Sequence, residues 1–329
     1  MTHVGRLGNS ISIPIKPDED GYIGRECPNP ECEGYFKITL GTGLHNITSC
    51  YCPYCGHFAE QTSFWTKDQI EYAKSYALNK IMDAVHKDMK ALEFDIKPKG
   101  SFGIGISMKF KGGSPVPIRY YREKELETKI ICDNCTLCYA IYGVFAFCPD
   151  CGTHNSKQIL YKNLDLAEKE IALALNLESE LSIHLIADAL ENAVSSFDGF
   201  GREACKKHAS ISSNPDRAKK VSFQNLYKAR QKVQELFCFD LALGIEPVDW
   251  DFAFKCFQKR HLLAHKMGVI DEEYLIATKD PEAVVGRKVS IKPDEVTSLI
   301  EVLKKLGSYF VAQLSDRSHS INSSEDKTP

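Results

Sequence analysis

The sequence predicts an α+β multidomain protein, with two small cysteine-rich elements around a helix-plus-sheet insert and an all-α four-helix bundle after them. Three observations support this prediction. Paired cysteines occur at two places in the first half of the chain, within residues 27–55 and 132–151. Short segments with alternating apolar residues lie near these pairs, which is typical of strands. From Asn155 onwards, apolar residues instead recur every three or four positions, as in helices.

The composition is that of an ordinary globular protein. The chain has 329 residues, 26% of them charged, and a formal net charge of −3, so two or three domains are possible. Because there is no overall basic excess, contact with RNA would depend on local patches. No segment approaches the ~20 apolar residues of a membrane span, and the N-terminus lacks the apolar core of a signal peptide. We therefore expect a cytoplasmic protein with no membrane contact.

The first predicted domain, residues 1–66, consists of a lead-in and the first cysteine element. Its ligands are predicted to come in two pairs, Cys27 with Cys32 and Cys52 with Cys55. The Cys-Pro-Tyr-Cys-Gly run favours a tight knuckle, in which Gly56 relieves the turn and backbone N–H groups point at thiolate sulfur. Cys50 is a rival to Cys52, but only Cys52 has the knuckle spacing.

The second cysteine element is predicted over residues 127–158. Its ligands are predicted to be Cys132, Cys135, Cys148 and Cys151. The segment Tyr139–Phe147 between the pairs is predicted to form a hairpin around Gly143. Cys138 is interpreted as a bystander. Each element should close on itself, because cross-pairing would close loops of roughly a hundred residues instead of about twenty.

Two cysteine pairs at this spacing are typical of zinc ribbons, and cysteines in such pairs suit a reducing compartment. We expect two structural Zn²⁺ sites and no cofactor for catalysis, because four thiolates leave no open coordination position. The ribbons also contain aromatic residues that could form a small core or stack on RNA bases. These are Tyr35, Phe36, Tyr51, Tyr54, Phe58, Tyr139 and Tyr142.

The insert between the ribbons, residues 67–126, is predicted to be a helix followed by a small sheet. An amphipathic helix is expected over Lys67–Leu92, with one apolar stripe formed by Ile70, Ala73, Ala77, Ile81, Val85, Met89 and Leu92. Strands are expected over Phe94–Gly100 and over Phe102–Phe110. The basic and aromatic segment 117–124 could contact a phosphate backbone or form a solvated strand.

The rest of the chain is predicted to be helical. A connecting helix is expected within residues 159–177, a four-helix bundle over 178–314, and a polar disordered tail over 315–329. The four helices are expected at Glu178–Ser210, Val221–Leu243, Asp249–Met267 and Pro293 to about Leu314. Three cysteines in this half are predicted to be buried as small hydrophobes, namely Cys205, Cys238 and Cys256.

The third of these helices carries a cluster of cationic and imidazole side chains. The run Arg260-His261-Leu-Leu-Ala-His265 has an arginine, a polar residue, three further residues and a histidine, and Gly268–Asp271 follows it. In this order the segment resembles the motif of HEPN domains, and the resemblance covers roughly residues 178–315. A second arginine–histidine pair, Arg202 and His208, has five residues between, one more than the motif.

The HEPN resemblance implies a metal-independent endoribonuclease of a toxin, antiphage or stress-response system. It implies Arg260 and His265 as catalytic residues, with His261 as the polar residue of the site. RNA cleaved this way ends in a 2′,3′-cyclic phosphate and a 5′-hydroxyl. Five residues place Arg260 and His265 about 140° apart on an ideal helix. A homodimer, which the resemblance also implies, would let a second copy complete the site.

Other interpretations remain open at this point. The bundle could be a non-catalytic module that binds RNA or nucleotide, or the ribbons could dock a regulatory protein partner as a structural adaptor. His261 and His265 are four residues apart and could form a metal pair, although no His-Glu-x-x-His sequence is present. Both could also be core residues with polar partners.

Overall fold

The computed structural model describes residues 2–45, 47–97, 106–113 and 115–325. The chain divides into two compact units, residues 1–153 and 154–329. The first is a mixed α/β unit, and the second is helical. None of the helices in the described part of the chain has the length and apolar character that crossing a bilayer requires.

The first unit is built on a four-stranded antiparallel sheet. The strands of this unit, within its described residues, are β1 (Tyr22–Glu26), β2 (Tyr35–Thr39), β3 (Ser49–Tyr51), β4 (Phe58–Glu60), β5 (Phe94–Ile96), β6 (Ile106–Met108), β7 (Thr128–Ile131) and β8 (Cys138–Ile141). The main sheet has the order β1-β2-β8-β7, whereas β3 with β4 and β5 with β6 form two-stranded sheets. The two inner strands are joined where Lys37 lies opposite Ala140 and Ile38 opposite Tyr139. One sheet therefore contains strands from both cysteine elements.

The prediction of a hairpin around Gly143 was wrong. Strand β8 pairs instead with β7, because the first knuckle of the second cysteine element is itself the turn between them. The Cys132 N–H donates to the carbonyl oxygen of Leu137 at 3.0 Å, and the Thr136 N–H donates to that of Cys132 at 2.8 Å. Of the strand predicted over Phe102–Phe110, β6 is described, whereas residues 102–105 lie outside the described residues.

The first unit also contains α1 (His3–Arg6) and α2 (Lys67–Ala91). A capping box starts α2. The Thr66 hydroxyl oxygen accepts a hydrogen bond from the backbone N–H of Gln69, and the side-chain oxygen of Gln69 accepts one from the backbone N–H of Thr66. The apolar stripe predicted for α2 is largely exposed, at Ile70, Ile81, Met89 and Leu92. The buried face instead contains Gln69 and Tyr72. Helix α2 binds the segment before β7 through two hydrogen bonds. Gln69 Nε2 donates to the Glu123 carboxylate, and Asn79 Nδ2 donates to the Val116 carbonyl.

The second unit packs long helices around one apolar core. Its helices are α3 (Ser156–Ala174), α4 (Ser179–Lys207), α5 (Pro215–Ala218), α6 (Leu226–Phe237), α7 (Pro247–Lys266), α8 (Glu272–Thr278) and α9 (Pro293–Glu325). The segment expected to connect the halves is largely α3, and its Leu160, Leu164 and Ala167 are fully buried in the core. Phe310 lies at the centre, within 5.3–6.2 Å of the rings of Phe200, Phe223 and Phe239.

Two helix boundaries differ from prediction. Helix α6 is shorter than the predicted 221–243, because Asn225 caps its start and Cys238 ends it with φ 59°. Helix α9 continues through residues 315–325, which the sequence predicted to be disordered. The Arg317 guanidinium lies 4.7 Å from the centroid of the Phe239 ring, and Ser318 Oγ donates to the Leu314 carbonyl. Residues 326–329 of the predicted tail lie outside the described residues.

Candidate metal centres and candidate active site

The eight predicted thiol ligands form two clusters of four. In the first, Sγ–Sγ distances are 3.7 Å for both Cys27–Cys55 and Cys32–Cys52. In the second they are 3.7 Å for Cys132–Cys151 and 3.4 Å for Cys135–Cys148. A zinc ion with four Zn–S bonds of about 2.3 Å requires sulfurs about 3.8 Å apart. Both clusters therefore fit zinc ribbons; ribbon 1 denotes the cluster of Cys27 and ribbon 2 that of Cys132.

The second knuckles of the two ribbons have the same local geometry. The Gly56 N–H donates to the carbonyl of Cys52 at 3.0 Å, and the Gly152 N–H donates to that of Cys148 at 2.9 Å. Both glycines have positive φ values, 72° and 68°, a region in which a side chain is strained. The Tyr54 N–H also points at the Cys52 sulfur, 3.4 Å away. The Cys-Pro-x-Cys-Gly sequence therefore shapes each half-site locally.

The surroundings of the thiols determine how easily each one loses its proton to become a metal ligand. Burial raises the pKa of Cys27 to about 11 and that of Cys135 to about 12. Burial would also raise the pKa of Cys151, but hydrogen bonds from Thr153 and Asn134 lower it to about 6. A dication would replace the protons on the buried thiols and compensate the gathered negative charge. With four sulfur ligands each site is closed, so its role is structural.

The remaining cysteines of the first unit lie outside both clusters. Cys50 is buried, with its Sγ 3.6 Å from the carbonyl oxygen of Tyr51. The Sγ of Cys138 lies 3.9 Å from the carbonyl oxygen of Thr136.

Three of the seven ribbon aromatics are buried and are not available for stacking. Tyr35, Phe36 and Tyr139 are buried, which excludes them from the set suggested to contact RNA bases. Phe58 and Tyr142 are exposed, at 54% and 45%.

The C-terminal end of α7 brings two of the predicted catalytic residues, His261 and His265, near one another. His261 and His265 are both exposed, and their ring centroids lie 4.8 Å apart. Partial burial of its ring, together with the neighbouring His265, lowers the pKa of His261 and favours the uncharged imidazole. Arg260 is half-buried, and its Nε is enclosed with no hydrogen-bond partner among the described residues. The histidines are thus surface groups, and the core interpretation was wrong for them.

Neighbouring lysines on α7 are committed to carboxylates. Lys259 Nζ lies 2.7 Å from Glu295 and donates to the Ser290 carbonyl at 2.8 Å. Lys266 binds Asp271 and Glu273. These ion pairs fix the start of α9 and the segment after α7, so they have structural roles. Arg260, in contrast, has no ion pair among the described residues.

The alternative arginine–histidine pair is occupied by structural contacts. Arg202 Nε donates to Asp198 at 2.9 Å, and the buried His208 shares a 2.9 Å hydrogen bond with the Ser318 hydroxyl. Cys205 and Cys256 are buried as predicted, but Cys238 is exposed, because it adopts the left-handed conformation that ends α6.

Comparison with protein-family models, with curated proteins and with solved structures found no match to this chain. Its function must therefore be inferred from these residues and their geometry.

Proposed function

We propose that the protein is a metal-independent endoribonuclease of the reducing cytoplasm, acting in a toxin, antiphage or stress-response system. One observation carries this proposal. Two exposed imidazoles, His261 and His265, lie 4.8 Å apart beside Arg260, whose Nε has no partner among the described residues. Together, two imidazole rings and a guanidinium with no ion pair among the described residues provide the groups that RNA cleavage by the 2′-hydroxyl needs.

The chemistry assigns a separate role to each group. An uncharged imidazole takes the proton from the 2′-hydroxyl, and the lowered pKa of His261 suits that ring to the task. A protonated imidazole at His265 gives a proton to the departing 5′-oxygen. Arg260 stabilises the charge that gathers on the phosphate oxygens, because its guanidinium stays charged and can donate two hydrogen bonds. The products are a 2′,3′-cyclic phosphate and a 5′-hydroxyl.

The site would be completed by a second copy of the chain. Arg260 and His265 are separated by about 140° around an ideal helix, so one helix does not direct both at the same phosphate. Apolar side chains follow the histidines at the surface, including Met267 and Ile276, which are 86% and 76% exposed. Burial of these side chains against a partner would favour a homodimer that aligns two copies of α7.

The zinc ribbons would recognise RNA or hold a regulatory protein partner. Phe58 and Tyr142 are the exposed aromatics of the ribbons, and stacking on bases requires such rings.

The proposal is tested by incubating the full-length zinc-loaded protein with total tRNA and with a synthetic single-stranded RNA. EDTA is added, and the reaction is stopped while mass spectrometry still shows both zinc ions bound. We expect cleavage that yields cyclic phosphate ends and fails when the 2′-hydroxyl is replaced by hydrogen. His265→Ala should lower the rate by about 10²–10⁴-fold, the usual contribution of a positioned acid or base.

His184→Ala is the matched control, because His184 is an exposed histidine on α4, outside this site. Its rate should equal that of the parent, and all variants should melt at the parent's temperature. The proposal fails if the parent protein cuts neither RNA, or if His265→Ala cuts as fast as His184→Ala.

A second candidate is a non-catalytic module that binds RNA. The separation of Arg260 and His265 by about 140° around one helix favours it, because a single copy does not direct both groups at one phosphate. RNA binding that survives His265→Ala, without cleavage by the parent protein, would support this second function.

A further inference from the structure

The two ribbons are related by an internal pseudo-two-fold axis. In ribbon 1 the first cysteine pair lies between β1 and β2, and in ribbon 2 it lies between β7 and β8. The equivalent inner strands, β2 and β8, are antiparallel neighbours in one sheet. Because the two strands are antiparallel, the rotation that places each one on the other is a two-fold rotation about an axis between them. The order β1-β2-β8-β7 is therefore that of two copies of one hairpin, joined at their second strands.

The second knuckles repeat this relationship through reciprocal hydrogen bonds. The Tyr51 N–H donates to the Pro149 carbonyl at 2.8 Å, and the Phe147 N–H donates to the Pro53 carbonyl at 2.9 Å. Tyr51 and Phe147 each immediately precede a ligand of their own ribbon, whereas Pro53 and Pro149 each immediately follow one. Each bond thus joins a peptide group beside one metal site to a peptide group beside the other.

The rings of the same two residues also cross between ribbons. A Cβ atom added to Gly152 of ribbon 2 would lie 3.0 Å from the Tyr51 ring, and one added to Gly56 of ribbon 1 would lie 3.3 Å from the Phe147 ring. Each knuckle turn is therefore covered by an aromatic ring from the opposite ribbon. Because both glycines have positive φ, the turns depend on the absence of a side chain and on the ring above them.

We propose that the two zinc sites are coupled and load and release zinc as one unit. Tyr51 is a positioning residue for ribbon 2, and Phe147 is a positioning residue for ribbon 1. When one site empties, its knuckle is no longer held to the other half-site through the metal and becomes more mobile. The other knuckle then loses both a hydrogen-bond acceptor and the ring above its glycine, so its own ligands are held less well. This coupling is independent of any ribonuclease activity.

The test is a titration of the full-length zinc-loaded protein with a zinc chelator, followed by native mass spectrometry. Two independent, identical sites give about half of the chains with one zinc when half of the zinc is removed, and unequal independent sites give more. Coupled sites give less, because the singly loaded form is disfavoured. We expect the one-zinc form to stay well below half, with the zinc-free and two-zinc forms prevailing. A one-zinc population of half or more would overturn the proposal.

A pair of variants locates the coupling. Tyr51→Ala removes the ring above Gly152, whereas the control Phe58→Ala removes only the ring that stacks on Tyr51 at 4.6 Å. After brief chelation, cysteines are alkylated and mapped by mass spectrometry. Tyr51→Ala should increase labelling of Cys148 and Cys151 at least fivefold, the lower end of typical coupling between sites, and Phe58→Ala should not. Increased labelling confined to the ligands of ribbon 1 would contradict the assigned role of Tyr51.

Discussion

Each of the two units of this chain is stabilised by a different kind of interaction. In the unit of residues 1–153, the buried cluster is small and combines thiol ligands with apolar side chains such as Phe36 and Phe64. In the unit of residues 154–329, the buried cluster is made almost entirely of apolar side chains, and it extends from Leu160 to Leu314. We therefore expect the first unit to depend on metal for part of a stability that the second obtains from apolar burial.

Size explains the difference. Ribbons whose strands have three to five residues bury little apolar surface, and such small elements usually need a metal or disulfides to fold. The helices α4 and α9 have 29 and 33 residues, so they can supply a continuous apolar face. One chain thus contains a part that should respond to chelation and a part that should not.

The largest expected effect comes from zinc removal. Structural zinc contributes about 10–16 kcal/mol of binding free energy in small metal-held folds. Exhaustive chelation should therefore unfold the ribbons and leave the helical unit folded. The chain has two tryptophans, Trp65 and Trp250, one in each unit. Fluorescence of a Trp250→Phe variant should report unfolding on chelation, whereas that of a Trp65→Phe variant should not change.

Restored zinc serves as the control, because the Trp65 signal should return to its starting value. If Trp250 fluorescence changes in parallel with that of Trp65, the helical unit also depends on zinc, and the difference between the two units does not exist.

The next effect is smaller and should be confined to the helical unit. Phe310 is fully buried among the rings of Phe200, Phe223 and Phe239, and Phe310→Ala leaves a cavity at that point. Such substitutions cost about 3–5 kcal/mol. Urea unfolding followed at Trp250 should show this loss, while the zinc content stays at two ions per chain. Loss of zinc from this variant would mean that the two units are not stabilised separately.

The same comparison explains how much could be predicted from sequence. Both sets of four thiols were identified, because each knuckle is a local structure whose spacing and glycine are visible in a few residues. The pairing of β2 with β8 was not predicted, because two strands about a hundred residues apart leave no local pattern in the sequence. The buried face of α2 was also missed, because it is defined by a hydrogen-bonding Gln69 and not by apolar residues.

In the second unit, apolar periodicity predicted the long helices but not their ends or contacts. Helix α3 was expected only to connect the halves, yet its apolar residues recur every three or four positions and are buried in the core. The polar sequence after Leu314 suggested disorder, because contacts such as Arg317 over Phe239 depend on a distant part of the chain. The exposed positions of His261 and His265 likewise depend on how α7 packs, which its sequence alone leaves open.

The smallest effect should appear as a pH dependence of the helical unit alone. Burial, with Lys207 nearby, lowers the pKa of His208 to about 4, against about 6.5 for an exposed histidine. The unfolded chain therefore binds a proton first as the pH falls. Stability from this group is complete above about pH 6.5 and is lost progressively down to about pH 4. Allowing for its partial exposure, the loss should be on the order of 1–3 kcal/mol.

His208→Gln isolates this contribution, because glutamine cannot titrate but can still bond to the Ser318 hydroxyl that His208 contacts at 2.9 Å. Urea unfolding is followed at Trp250 in the Trp65→Phe background at pH 7 and pH 4.5. The histidine form should lose about 1–3 kcal/mol more than the glutamine form over this interval. His154 is also buried, and burial, with the nearby Lys207 and His208, lowers its pKa to about 3. Because burial is the largest cause and is the same in both forms, most of its effect cancels in the difference. Equal losses in the two forms would show that His208 takes up its proton as readily in the folded unit as in the unfolded chain.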